Sequence, residues 1–402
     1  MLSENAIENL IKPVLERQEN INNYVLKIIA QRIREIGKLL PSDIYKLERL
    51  LKTGSDTKKI NQYLATQTNL QETDIKRIIK DVALDTYLDT KPFYDYRYRS
   101  FIPFEKNIPL QRIVESIALA TGKEYKNLAN SKATGFLIRD LKNPRKLKFQ
   151  SIKDTYTSII DEAVQASQMG IIDYNTAMRK TMEQLVDSGV RKIYWESGYS
   201  QRLDTAVRRN ILDGIRAINQ GVQDETGRQF GADGKEITVH ANPAPDHEPI
   251  QGHQFTNEQY ERLQNQQSFK DTYGNKFAPI DRAIGTLNCR HFTYSIIVGY
   301  SKPNYTLEQL EEMKVKNAEG YTDENGKHYT MYECTQKQRQ LETLIRKCKD
   351  GQIMAKEADN IQLAQNYQKK VTAYTKKYKA FSNACGLSVK ASKLTVSGYK
   401  KI

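Results

Sequence analysis

Apolar residues recur at intervals of three and four along most of this chain, and that spacing predicts helices. In the first 90 residues it runs through Ile7, Leu10, Ile11, Val14 and Leu15, then through Val25, Ile28, Ile29, Ile33 and Ile36. Leu40-Pro41-Ser42-Asp43 and Thr53-Gly54-Ser55-Asp56 supply stop and N-cap signals between consecutive helices. Between 91 and 110 the pattern gives way to an aromatic and basic connector, Lys91-Pro92-Phe93-Tyr94-Asp95-Tyr96-Arg97-Tyr98-Arg99. Helical spacing returns from 110 to about 220. One helix over 150 to 169 presents Ile152, Tyr156, Ile159, Ile160 and Val164 and ends at Gly170. The next starts at an Asp173 N-cap, carries Ala177, Met178, Met182 and Leu185, and stops at Gly189. Arg191 to Ile218, with the sole tryptophan Trp195, reads as a further long helix.

The period then changes from helical to alternating. A turn over 230–235 precedes Glu236-Ile237-Thr238-Val239-His240, which reads as a strand, and Phe292 to Gly299 reads as another. An Asn325-Gly326 turn between short arms predicts a hairpin over 321–330. Beyond it Leu341, Leu344, Ile345 and Cys348 mark one helix. Ala364, Tyr367, Val371, Tyr374, Tyr378 and Phe381 form a heptad-like seam on a second, over about 354 to 383. The expected fold is mainly α with a small strand-loop-strand insert, α+β overall. The expected divisions are an N-terminal helical domain (1–90), a connector (91–150), a helical scaffold (151–225), a small β/loop module (226–303) and a basic helical region (304–402).

The stretch from His240 to His291 concentrates the candidate chemistry. It holds four of the five histidines and one of the four cysteines. Strand ends near His240 and Cys289 would bring the two ends of the loop together, so His240, His247, Cys289 and His291 are expected to converge. Three readings of such a cluster stay open. Imidazole and thiolate are ligands that Zn2+ prefers, and on strand ends they could staple a loop too polar to pack by itself. Asp246, His247 and Glu248 could instead serve as acid or base with Cys289 as nucleophile, giving a metal-dependent or cysteine hydrolase. The third reading is that Asp246, Glu248, Gln251, Gly252 and Arg290, with the histidines, only fix the shape of the loop through hydrogen bonds.

Composition narrows the partners. The net charge of +14 suits an anionic partner, nucleic acid or an acidic protein surface, although a well-solvated basic protein has the same charge. Residues 333 to 402 hold 15 lysines and arginines against 5 acids, a surplus of 10. Lys369, Lys370, Lys376 and Lys377 lie between the seam positions, where they can contact phosphates or simply face solvent. Arg97 and Arg99, interleaved with tyrosines, are a second candidate nucleic-acid contact. No apolar run reaches the roughly 20 residues of a bilayer span, and the first residues lack the pattern of a secretion signal. Synthesis in a cytosol is therefore expected. The spread of Cys289, Cys334, Cys348 and Cys385 predicts free thiols.

Several separated motifs carry a resemblance. His240 with Asp246-His247-Glu248-Pro249-Ile250-Gln251-Gly252, Leu287-Asn288-Cys289-Arg290-His291, Gly299-Tyr300-Ser301, the run Tyr332 to Arg339 and Ile345-Arg346-Lys347 together resemble the phage minor capsid proteins of the second type. These are similar in layout to the Mu F-like minor head proteins. The resemblance covers about 150 to 400 and is least at 88 to 150. It implies a structural protein of a tailed-phage head, present in few copies at the portal or inner capsid surface and delivered with the DNA. Implied partners are the portal, the major capsid protein, other copies of itself and packaged DNA, with no membrane in the assembled head. It implies no enzymatic activity. Little chain follows the C-terminal helix to form the toxin or enzyme domain that some Mu F-like proteins carry.

Overall fold

The computed structural model describes residues 4–38, 55–128, 133–139, 146–169, 171–194, 197–285, 289 and 291–402. Among these the chain is mostly helical with small antiparallel sheets, as expected of an α+β protein. It divides into two compact units. The first comprises 1–11, 74–123 and 209–337, and the second 12–73, 124–208 and 338–402.

The chain begins with helix α1 (Glu4–Ile36), whose apolar positions Ile11, Val14, Val25, Ile29, Ile33 and Ile36 are buried. Pro13 lies within it, so both apolar runs of the N-terminus belong to one helix. Helix α2 (Ser55–Leu88) follows. The break expected at 40–43 lies outside the described residues. Next come the short α3 (Lys91–Tyr96) and α4 (Ile108–Leu128), with Pro109 in the first turn of α4, where a missing N–H costs nothing.

The purely helical reading of 110–220 is corrected by four strands. β1 (Thr134–Arg139), β2 (Leu147–Ser151), β3 (Arg191–Tyr194) and β4 (Tyr199–Arg202) form one antiparallel sheet in the order β2-β1-β3-β4. Arg191 to Ile218 is therefore a hairpin followed by a helix, because Gly198 adopts φ +66 and reverses the chain there. Trp195 and Pro144 lie outside the described residues. Between these strands α5 (Ile152–Met169) packs with α6 (Ile171–Ser188). Helix α6 begins two residues before Asp173, which is thus inside it rather than its cap. It ends as expected before Gly189, at φ +57.

In the second unit the part of the long α10 (Met331–Glu357) beyond Lys337 receives α11 (Ile361–Ala384) along the predicted seam. Helix α11 starts later than the expected 354, because Asn360 caps it by accepting from Leu363 N. Ala364, Tyr367, Val371 and Tyr378 are buried, while Tyr374 and Phe381 are half-buried against Leu341, Ile345 and Leu394. Glycine at 351 lets the two helices approach, since a Cβ there would meet the Tyr367 ring at 2.5 Å. This unit also buries a network of five charges. Arg202 reaches Asp350 at 3.5 Å, and Arg346 reaches Asp204 at 3.3 Å and Glu19 at 3.6 Å.

The first unit holds the histidine-rich stretch. Helix α7 (Leu203–Phe230) ends at Gly231, φ +78, and the chain turns into β5 (Gly234–Ile237). β6 (Gln254–Thr256) and β9 (Thr293–Ile296) flank β5 in a three-stranded antiparallel sheet, with Ile237 opposite Thr293. β5 thus ends three residues short of His240, and β9 is shorter than the expected 292–299. Two glutamines of α7 anchor β9: Gln220 accepts from Thr293 N at 3.2 Å, and Gln223 accepts from Ser295 N at 3.0 Å.

The loop between β5 and β9 is more built than its polarity suggested. It contains helix α8 (Asn257–Gln264), started by a Thr256/Gln259 capping box, and a minimal hairpin of β7 (Phe269–Lys270) and β8 (Lys276–Phe277). Ile237, Ile250, Phe255, Leu263, Phe269, Ile280 and Ile284 give it a core of its own. The expectation of a loop too polar to pack is therefore corrected. Widely spaced apolar residues, each alone in the sequence, meet only after the chain has doubled back. Helix α9 (Leu307–Glu319) and the predicted hairpin, β10 (Tyr321–Thr322) with β11 (His328–Tyr329), complete the unit.

Candidate metal centre

Three of the four expected residues converge. One donor atom from each of His247, Cys289 and His291 lies within 4.8 Å of the others. His247 and His291 are buried and Cys289 is half-buried. The sheet explains the meeting. His291 sits two residues before β9, the partner of β5, and the chain leaving β5 returns through His247 by way of a one-turn 3-10 helix, Glu248–Ile250.

Hydrogen bonding fixes how each ring is turned. The Nε2 atom of His247 is 2.8 Å from the carbonyl oxygen of Arg282 and must donate to it, since a carbonyl only accepts. Its Nδ1 then faces the Cys289 Sγ at 3.3 Å. His291 repeats the arrangement, with Nε2 3.3 Å from Gln251 Oε1 and Nδ1 3.5 Å from the same sulfur. Two imidazole lone pairs and one sulfur therefore face a shared point, each ring held from behind by an oxygen. This is how metal-binding histidines are usually oriented. A tetrahedral ion with Zn–N of about 2.0 Å and Zn–S of about 2.3 Å separates adjacent donors by roughly 3.3 to 3.6 Å, which the two sulfur–nitrogen distances match. A buried His-Cys-His triad able to hold a metal ion is thus present.

Electrostatics favour the ligand forms of Cys289 and His291. Burial alone would raise the Cys289 thiol, but the His247 hydrogen bond, the Gly285 backbone N–H and the His247 charge outweigh it and lower its pKa, toward the thiolate that binds metal. Burial, then the neighbouring His240 and His247, push His291 down to about 2, so it stays neutral. His247 moves the other way: burial lowers it, but the Cys289 contact, the Arg282 carbonyl and the Asp246 charge raise it above its ordinary value. Without a cation in the centre, Cys289 and His247 therefore tend toward a thiolate–imidazolium pair.

The remaining predicted residues surround this centre. The ring of His240 lies against that of His291, centroids 4.3 Å apart, with its Nδ1 3.2 Å from the Ala241 carbonyl. Asp246 is held by Arg282 through two bonds, Nε to Oδ2 at 2.6 Å and Nη2 to Oδ1 at 2.7 Å. That pair keeps the Asp246 carboxyl below its usual range. Glu248 accepts from Asn317 Nδ2 at 2.5 Å. Gln251 accepts from the His240 backbone N–H at 3.3 Å as well as from His291. Gly252 adopts φ +75 and donates to the Ile237 carbonyl at 2.9 Å. Arg290 lies outside the described residues.

Sequence reading missed Arg282 and Gly285. Arg282 both clamps Asp246 and orients His247, yet it stands 36 residues from its partner with no motif around it. Gly285, at φ +87, had one legible signal, a glycine four residues before the cysteine. The cationic candidates are dispersed. Lys369, Lys370, Lys376 and Lys377 are all exposed on α11. Arg97 is exposed beside the Tyr96 ring, and Arg99 is committed to the Gln229 carbonyl. No described helix is long and apolar enough to cross a membrane.

No curated protein and no solved structure matches the chain. One family model does, over residues 2–383: phage minor capsid protein 2.

Proposed function

The chain belongs to the phage minor capsid protein 2 family and is a protein of the phage head, and from that premise we propose that it works by contacts inside the head. Its partners in this reading are the portal or the major capsid protein, with further copies of itself, and it touches packaged DNA without regard to sequence. The family match over nearly the whole chain carries the proposal. The exposed lysines of α11 and the C-terminal surplus of positive charge support the DNA contact, because phosphate attraction needs no base recognition. In the same reading Zn2+ occupies the centre of His247, Cys289 and His291, with His240 as the candidate fourth ligand. The ion staples the 240–291 segment to the sheet and has a structural role.

Cross-linking mass spectrometry on assembled heads tests the placement. The expected result is cross-links from the 369–377 lysines to portal or inner-shell residues. Cross-links confined to the outer capsid surface would overturn it.

A hydrolytic reading has one observation in its favour, the Cys289 Sγ–His247 Nδ1 distance of 3.3 Å with the cysteine pKa lowered. The geometry serves metal ligation equally, since His291 offers its Nδ1 to the same sulfur. Reproducible turnover of an ester or peptide substrate, abolished by Cys289→Ala, would favour this reading over the structural one.

A further inference from the structure

A cavity of about 200 Å3 lies behind His291, lined by Arg216, Gln220, Asp224, Tyr260, Gln264 and Ile284. Its walls come from regular structure. Arg216, Gln220 and Asp224 form an i, i+4, i+8 stripe on α7, and Tyr260 with Gln264 forms an i, i+4 pair on α8. Most of the polar wall is already satisfied. Gln264 accepts from Ile284 N at 2.8 Å and donates to the Tyr260 hydroxyl and to the Ile284 carbonyl. Gln220 is spent on Thr293 and Asp224. Asp224 also receives the Lys235 ammonium, so its charge is matched.

Two donors remain. Arg216 makes no hydrogen bond or ion pair with the described residues, and its Nε is buried without a partner. Tyr260 accepts from Gln264 but donates its own proton to no described residue. The guanidinium lies across Gly285, where even a methyl group would collide with Cζ at 2.9 Å. Asp213, one turn back on α7, feels the charge of Arg216 but forms no ion pair with it; burial, opposed by Arg216 and Arg209, raises its pKa. Buried donors of native proteins are normally paired, and an orphan points to a missing partner. The space is large enough for several waters. Water would leave the guanidinium without a directly bonded anion, whereas the flat fork of an arginine suits a planar or tetrahedral oxyanion.

We propose that this cavity is an oxyanion site, in which Arg216 and Tyr260 hold a single carboxylate or phosphate group. The group enters from the side of Asp224, the exposed member of the lining. The site does not depend on a metal, although His291 forms part of its wall.

Thermal-shift titration of the full chain at fixed ionic strength, with acetate or inorganic phosphate replacing chloride, tests the assignment. The expected result is a saturable rise in Tm with one of the two anions. Its apparent Kd should weaken at least tenfold in Arg216→Gln and less in Arg216→Lys, which keeps the charge but loses the fork. Preference for acetate assigns the site to a carboxylate of a protein chain, and preference for phosphate to a phosphate group. Tyr260→Phe removes a single hydroxyl and gives the same readout if Arg216→Gln does not fold. The proposal is overturned if neither anion gives a saturable shift, or if the substitutions leave it unchanged.

Discussion

The Nδ1 of His247 stands 3.3 Å from the Sγ of Cys289, although 42 residues separate them. The pair is held from outside. Arg282 fixes the far nitrogen of His247 through its carbonyl and fixes Asp246 through its guanidinium, so one residue sets both the ring and the turn that carries it.

If that pair supplies two ligands of a zinc site, metal and fold are linked. Elemental analysis of protein purified without chelator should find about one zinc per chain, and a chelator should lower its Tm. Cys289→Ala and His247→Ala should each lose the metal and become insensitive to chelator. A metal-free, chelator-indifferent wild type would remove the zinc reading and leave these side chains as loop-shaping groups.

The Asp246–Arg282 clamp is partly buried and doubly bonded, which makes it stronger than an ordinary surface pair. Asp246→Ala should destabilise the protein by roughly 1 to 3 kcal/mol in urea unfolding, because the guanidinium loses its partner. Metal affinity should fall as well, through the looser hold on His247. Loss of less than a few tenths of a kcal/mol would show the clamp to be replaceable by solvent.

The buried charge network predicts a slope of stability with pH. Burial, opposed by the Arg346 charge, raises Glu19 to about 7, and burial, opposed by Arg202, raises Asp350 to about 6. An acid whose folded pKa exceeds its unfolded value binds its proton more tightly when folded. The stability it adds is therefore complete below the unfolded pKa and is lost as pH rises through 6 to 7. Asp204, held below its usual range against burial by Arg202 and Arg346, has the opposite sign, with its window below pH 4. The groups facing Glu19 are Arg346, Asp350, Asp204 and Lys349. Glu19→Gln should gain on wild type by on the order of 1 to 3 kcal/mol between pH 5 and 8. A difference that stays flat across that range would contradict the assignment.

DNA contact through α11 has its own signature. Each lysine that neutralises a phosphate adds about one unit to the slope of log K against log salt. Replacing Lys369, Lys370, Lys376 and Lys377 by glutamine should flatten that slope for duplex DNA by about three to four units, equally for unrelated sequences. An unchanged slope would assign these lysines to solvent.

Helices long enough to show several turns of apolar spacing were legible in the sequence. So were the seam of α11, the stop at Gly189 and the Asn325-Gly326 hairpin, since each depends on neighbours along the chain. The sheet of β1 to β4 was not. Its strands of four to six residues are too short to show an alternation, and Arg191-Lys192-Ile193-Tyr194 continues a helical pattern as readily as it begins a strand.

The same division runs through the site. The clustering of His240, His247, Cys289 and His291 is a property of the sequence, as is the resemblance that marked the family. Which of them share one centre was decided by tertiary structure. Pairing Ile237 with Thr293 sets the register, and β5 ends before His240, so His247, Cys289 and His291 meet while His240 packs its ring against His291. Arg282, Gly285 and the cavity at Arg216 likewise exist only in the folded chain. Local spacing determines which residues a helix or turn presents, because those forces act over a few residues. What a side chain meets across the fold depends on register and packing between distant segments, which spacing alone does not encode.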